Sequence, residues 1–149
     1  MSLPNIKFKK LHKNAIVPTK GTPHSAAYDL YAIEDFYLCG ESIKLVKLGF
    51  ATEIPSGWCA KISPRSGLAL KKGITIVNSP GIIDSDYRDE WGIIFKKESC
   101  LGAPEIAVDF KAGDRIAQVT FESCVDVDFE VVDELIKSNR TGGFGSTDE

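Results

Sequence analysis

Apolar and polar residues alternate with a period of two in short runs along most of the chain, and turn-forming residues separate the runs. Residues 6–9, 58–62 and 106–110 alternate plainly. Residues 42–50, 74–77, 91–95, 116–121 and 129–132 also read as strands, on their apolar and β-branched content. Between them stand clusters such as Pro55-Ser-Gly57, Ser79-Pro-Gly81 and Lys111-Ala-Gly113, where proline and glycine end one extended segment and start the next. Many short strands at this spacing predict an all-β fold, a distorted jelly-roll barrel or sandwich. Only residues 66–72 and 133–137 have helical character, each for a turn or two. The length of 149 residues predicts a single domain over 1–149 with a core of its own. Residues 139–149 lack an apolar pattern and are expected to form a flexible, glycine-rich arm.

Composition excludes several function classes. No apolar run approaches membrane-spanning length, and the charges scattered through residues 1–13 resemble neither a signal peptide nor an anchor. A net charge of −3 argues against a broad nucleic-acid surface, so any phosphate binding must be local. Cys39, Cys59, Cys100 and Cys124 lie far apart, and His12 and His24 are the only imidazoles, which disfavours a zinc site. The cysteines read as reduced and mostly buried, in a cytoplasmic or nuclear protein.

The basic residues divide unevenly, into 14 lysines and four arginines. A planar five-donor fork is needed where carboxylates or phosphates must be held bidentately. Arg88 and Arg115 have aspartates beside them in sequence, so pairing with those acids explains them as well as ligand binding does. Arg65 and Arg140 have serine, threonine and glycine as neighbours and look like phosphate ligands. Ser66 has no elbow or histidine to make it a nucleophile. It suits a phosphate donor better, because Gly67 leaves the backbone amides approachable.

The segment Gly81-Ile-Ile-Asp-Ser-Asp-Tyr-Arg88 sets carboxylates, a phenol and a guanidinium directly after an apolar run. An isolated loop aspartate is most often a turn cap. Here the apolar run holds Asp84 and Tyr87 offers a flat face, so Asp84 is the candidate for orienting and deprotonating a water. Asp29 is a lone acid in an apolar strand, either a satisfied buried carboxylate or a helper for a metal. A sparse acidic set is compatible with Mg²⁺, which takes most of its oxygens from phosphates and water. Phe144, between Gly143 and Gly145, is free enough to close over a bound ring.

Five segments in order resemble the motifs of the trimeric dUTPases: Ala26-Ala-Tyr-Asp-Leu30, Pro64-Arg-Ser-Gly-Leu-Ala69, Gly81-Ile-Ile-Asp-Ser-Asp-Tyr-Arg88, Gly113-Asp-Arg-Ile-Ala-Gln118 and Arg140-Thr-Gly-Gly-Phe-Gly-Ser-Thr147. The resemblance implies a jelly-roll homotrimer with active sites at subunit contacts, and Mg²⁺-dependent hydrolysis of dUTP to dUMP and pyrophosphate. It implies that Asp84 activates the water that attacks the α-phosphorus, and that Tyr87 lies under the deoxyribose and excludes a 2′-hydroxyl. Asn78 and the backbone through Gly81 would read the uracil edge, with Ile83 in the same substrate site. Ser66 and Gln118, with Arg65 and Gly67 beside them, would hold phosphates. Asp29 would orient a water on Mg²⁺. In the tail, Arg140, Ser146 and Thr147 would grip the terminal phosphates while Phe144 stacks on uracil in another subunit, with Gly145 also in the substrate site. The sequence departs from the family pattern at Ala27 and Asp89, where glycine is usual, and in a longer connection over residues 96–104. A dCTP deaminase of the same fold is disfavoured by the glycine-rich tail. A non-catalytic regulator is disfavoured by the full set of catalytic groups.

Overall fold

The computed structural model describes residues 3–40, 42–98 and 106–139. Its elements begin with β1 (Lys7–Lys10), β2 (Thr19–Lys20), β3 (Tyr28–Tyr31), β4 (Phe36–Leu38), β5 (Lys44–Lys47) and β6 (Phe50–Glu53). They continue with β7 (Trp58–Ser63), α1 (Ser66–Lys72), β8 (Ile74–Ile76), β9 (Gly81–Ile83), β10 (Gly92–Lys97), β11 (Val108–Phe110) and β12 (Arg115–Ser123). The largest sheet has the order β2-β3-β12-β7-β9, a second has β5-β10-β8, and β1-β6 and β11-β4 form pairs. The pairings are antiparallel throughout. The all-β, jelly-roll-like sandwich expected from the alternation is present, and the sheets do not close into a barrel.

Strand periodicity decides which side chains enter the core. In β7, Ala60 and Ile62 are buried while Lys61 and Ser63 point to the half-exposed face. The same rule buries Leu30, Ile93, Phe95 and Val119, while Ile116 joins them because the register of β12 shifts between Arg115 and Ala117; all pack with Phe50, Leu48, Ile74 and Trp91 in one cluster. Trp91 is fully buried, and its indole N–H donates to Thr52 Oγ1 at 3.1 Å. That bond satisfies a polar group which would otherwise be costly in the interior. Among the described residues, no buried side-chain nitrogen or oxygen lacks a partner.

Several expectations need correction. The run over 42–50 is not one strand: it breaks at Gly49, whose φ is 73° and whose added Cβ would lie 2.7 Å from His12 Cβ. The Gly49 carbonyl accepts from both Leu11 and His12 N–H, so the chain turns there to meet the segment after β1. Residues 129–132 are not a strand and 133–137 are not a helix. Their apolar side chains stand in solvent, with Phe129 91% and Ile136 100% exposed. The cysteines are not mostly buried: Cys59 is, Cys39 is half-buried and Cys124 is exposed, all three as free thiols. Cys100 lies outside the described residues. In the longer connection, Lys96 and Lys97 belong to β10, and residues 99–105 are not described.

Helix α1 has the boundaries expected for it. Gly73 ends it in the left-handed conformation at φ 63°, with its N–H returned to the last turn. The Gly73 carbonyl then accepts from Glu98 N–H at 2.7 Å, which ties the helix end to the end of β10. This anchoring sets the Arg65–Lys72 corner beside the large sheet.

Candidate active site

Three neighbouring strands of the large sheet carry one row of polar side chains. Gln118 on β12 is in register with Asp29 on β3 and with Ser63 on β7. Asp29 is no lone acid in space. Its two carboxylate oxygens receive Arg65 Nε at 3.0 Å and Arg115 Nη1 at 3.3 Å, and the Asp29 side chain is 13% exposed. Arg65 Nη1 also donates to the Arg115 carbonyl at 3.1 Å. Gln118 Nε2 donates to the Pro64 carbonyl at 3.1 Å, holding the residue that precedes Arg65 and Ser66. Arg65 has serine and glycine as its sequence neighbours, and its carboxylate partner comes from another strand. The local pairing considered for Arg115 is corrected, since it bonds Asp29, while Asp114 accepts the Lys111 N–H.

Beside this row lies a cavity of about 310 Å³ lined by Asp29, Arg65, Ser66, Gly67 and Gln118, together with Leu68, Lys71 and Lys72. One carboxylate faces two guanidinia, and two ammonium groups border the same space. The surplus of positive charge, with a serine hydroxyl and an adjacent glycine, suits a phosphate chain. Lys71 and Lys72 were not singled out from sequence. The helical reading of 66–72 would have placed their backbone one to two turns from Ser66, a signal left unused.

A second cavity, of about 290 Å³, opens between β9 and the β5-β10-β8 sheet. Asn78, Gly81, Ile83, Asp84 and Tyr87 line it, with Lys47 and Glu90 opposite. A Cβ added at Gly81 would lie 3.5 Å from Asn78 Nδ2 and 3.7 Å from Ile62 Cβ, so the Asn78 amide rests on the backbone of residue 81. Past β9 the chain turns: Tyr87 N–H donates to the Asp84 carbonyl at 3.2 Å, which leaves the Asp84 carboxylate exposed at the cavity edge. Arg88 braces this turn through Nη1 to the carbonyls of Ser85 and Tyr87, and not through the neighbouring aspartates. The Tyr87 hydroxyl donates to the Glu90 carbonyl at 3.3 Å, and Glu90 Oε1 accepts the Gly49 N–H at 2.9 Å. Glu90 thus links this turn to the Gly49 turn that precedes β6, a role with no sequence signal beyond its place before Trp91.

The two cavities share no lining residue. On the β7–β9 ladder Ile62 pairs with Gly81 and Ala60 with Ile83. Asp84 therefore lies toward the Trp58 end of β7, while Arg65 and Ser66 follow its Ser63 end. At about 3.3 Å per residue the ends are roughly 13 Å apart or more, several times the length of a hydrogen bond. Arg140, Phe144, Gly145, Ser146 and Thr147 lie outside the described residues.

The dUTPase family profile matches residues 13–148. This chain belongs to the dUTPase family. The deoxyuridine 5′-triphosphate nucleotidohydrolase of a Picosynechococcus species is 42% identical over 144 residues, covering 96% of this chain and 98% of the relative. The enzyme of that name from Clostridioides difficile is 40% identical, covering 96% and 97%. Among solved structures, a mutant dUTPase of Staphylococcus phage 80alpha matches with a TM-score of 0.84 at 25% identity over 95% of this chain and 98% of its own. The dUTPase of phage phi11, described with a structural Mg(II) ion, matches at 0.76 and 22% identity over 87% and 97%. The dUTPase fold is thus common to chains of low identity, and the nearer bacterial relatives span this chain almost end to end.

Among the described residues, no group of three or more His, Cys, Asp or Glu side chains is disposed to hold a metal ion. Asp29, in the wall of the phosphate-side cavity, is a hard oxygen donor of the type that suits a cation held through water. Asp29 keeps lone pairs beyond its two arginine bonds for a water on such an ion.

Proposed function

We propose that the chain is a Mg²⁺-dependent dUTP diphosphatase that works as a homotrimer. The observation that carries this reading is the division of the family's motif residues between two cavities, one suited to a nucleoside and one to phosphates. Asn78 and the Gly81 backbone read the uracil edge, Ile83 walls the same pocket, and Tyr87 supports the deoxyribose closely enough to exclude a 2′-hydroxyl. Asp84 accepts a proton from a water as its oxygen attacks the α-phosphorus. The bond to the bridging oxygen then breaks, and pyrophosphate leaves. Arg65, Ser66, Gly67 and Gln118 hold the phosphates, with Asp29 keeping Arg65 oriented. Asp29 would hold Mg²⁺ through a water, and the ion would offset phosphate charge. The tail residues Arg140, Phe144, Gly145, Ser146 and Thr147 complete the site as the family resemblance implies.

The same division supports assembly with active sites at subunit contacts, and the family resemblance makes that assembly a trimer. One chain cannot bring its own Asp84 to phosphates bound at its own Ser66, because these lie at opposite ends of the β7–β9 ladder. A neighbouring copy supplies the missing half. The apolar side chains after β12 support this reading, because only another surface removes them from water. No helix of the described residues is long and apolar enough to cross a membrane. A free nucleotide as substrate is in keeping with an enzyme of the cytoplasm, or of the nucleus of a eukaryotic host, that needs no stable nucleic-acid partner.

The test is pyrophosphate release from dUTP, dTTP, dCTP and UTP, each with Mg²⁺ and with chelator. Release from dUTP alone, abolished by chelator, is expected. Equal release from UTP, or ammonia release from dCTP, overturns the reading.

A further inference from the structure

The end of the large sheet away from Ser66 carries a pair of thiols that nucleotide hydrolysis leaves unused. On the β7–β12 ladder Cys59 stands opposite Glu122 and Trp58 opposite Ser123. One further rung follows, with Cys124 N–H donating to the Gly57 carbonyl at 2.8 Å. Cys124 therefore faces a glycine, at φ 80°, which places no side chain across from it. Strand alternation puts Cys59 and Cys124 on one face, diagonal to each other. The two thiols are close enough for Cys124 to raise the Cys59 thiol. Cys59 is buried at 8% exposure, whereas Cys124 is open to solvent.

We propose that Cys124 and Cys59 form a thiol-modification site for low-molecular-weight disulfides, Cys124 reacting first and Cys59 resolving the adduct into an intramolecular disulfide. The Cys124 thiolate attacks one sulfur of the small disulfide and expels one thiolate, which takes up a proton. Cys59 then gives its proton to water, attacks Sγ of Cys124 and expels the second thiolate. Two protein thiols are oxidised and one small disulfide is reduced to two thiols, so atoms and electrons balance. Exposure makes Cys124 the residue an outside reagent can reach, and burial keeps Cys59 for the internal step. Burial also raises the Cys59 thiol above its ordinary value; Cys124 and Glu122 add to this, and Lys61 opposes it. Diagonal partners on a flat ladder sit about 7–8 Å apart at Cα, just beyond the 4.4–6.8 Å or so usual for a disulfide. The Cys124–Gly57 rung is the end of the ladder and the Gly57 turn adjoins it, so the small approach falls where the sheet resists least. The closed bond would fasten the root of residues 125–139 to β7.

The full chain carrying Cys39→Ser and Cys100→Ser is incubated with glutathione disulfide at mildly alkaline pH and mapped by non-reducing peptide mass spectrometry. A Cys59–Cys124 cross-linked peptide within one chain is expected. Adding Cys59→Ser should leave a stable glutathione adduct on Cys124, and adding Cys124→Ser instead should slow all modification at least ten-fold. A lasting adduct on Cys124 with Cys59 present, a Cys124–Cys124 link between chains, or equal modification of Cys59 without Cys124 overturns the proposal.

Discussion

Replacing Asp29 with asparagine tests whether the carboxylate between Arg65 and Arg115 organises the phosphate cavity. The substitution preserves shape but replaces one acceptor oxygen with an NH₂ donor that must face a guanidinium. A hydrogen bond to a charged group is worth about 1.5–3 kcal/mol, and the Arg65 bond, with side-chain exposures of 29% and 13%, falls in that range. Arg115 is 51% exposed, so solvent screening reduces its share to about 0–1 kcal/mol. The expected loss is about 2–3 kcal/mol. For a chain of this length that corresponds to a fall in melting temperature of roughly 5–10 °C, compared at one protein concentration. Arg65 would also lose its orientation toward phosphate, so KM for dUTP should rise about ten-fold while kcat changes less. Calorimetry and initial rates over a Mg²⁺ series measure both effects. A melting temperature within 1 °C of the parent refutes the energetic argument. A raised Mg²⁺ half-saturation with unchanged stability would assign the carboxylate to the ion's water alone. A double-mutant cycle with Arg115→Gln isolates the weaker pair, expected to couple by no more than about 1 kcal/mol.

Asp84→Asn should lower kcat by about 10²–10⁴-fold, the usual contribution of a general base, with KM within a few-fold of the parent; retained turnover removes Asp84 from that role. Gly49→Ala should cost at least about 2 kcal/mol in a urea melt, because alanine is strained at φ 73° and its Cβ would meet His12 Cβ at 2.7 Å. Unchanged stability would mean the turn after β5 shifts freely. The Lys111 ammonium, followed by the Ala112 N–H, holds the Asp35 carboxyl below its ordinary value of 3.8. Its contribution to stability is thus complete above that value and lost as pH falls through the lower folded value. Asp35→Asn should be less stable than the parent in urea melts at pH 7, with the gap closing toward pH 2; a gap that widens in acid contradicts the assignment.

Much of the fold was legible because alternation states which side of a strand is buried. The run over 116–121 sits inside β12, and 58–62 needed one more residue to become β7. Helix α1 was legible to the residue because Pro64 precedes it and Gly73 can take the left-handed conformation that ends it. Gly49 misled the reading of 42–50, since a turn demanded by His12 and Glu90 leaves no local mark beyond the glycine itself. The motif residues around Asp84 and Ser66 were legible as chemistry. Their division into two cavities was not, because it depends on the register of β7 against β9. The Asp29–Arg65–Arg115 contact was hidden for the same reason: it joins residues far apart in sequence that meet only when β3, β12 and β7 lie side by side.

Residues 129–137 failed as strand and helix in a way that bears on function. The apolar side chains from residue 125 onward have the pattern of a buried segment, yet Val125, Val127, Phe129, Val131, Leu135 and Ile136 are largely exposed. Nothing among the described residues covers these side chains. Burying one such side chain is worth about 1.5–3 kcal/mol, so six together are comparable with the roughly 4–15 kcal/mol that association costs. On the proposed trimer, the chain that leaves its apolar segment uncovered is the same chain that leaves Asp84 and Ser66 in separate cavities. Assembly then finishes the burial and the active site in one step, and turnover should fall with dilution wherever the trimer dissociates.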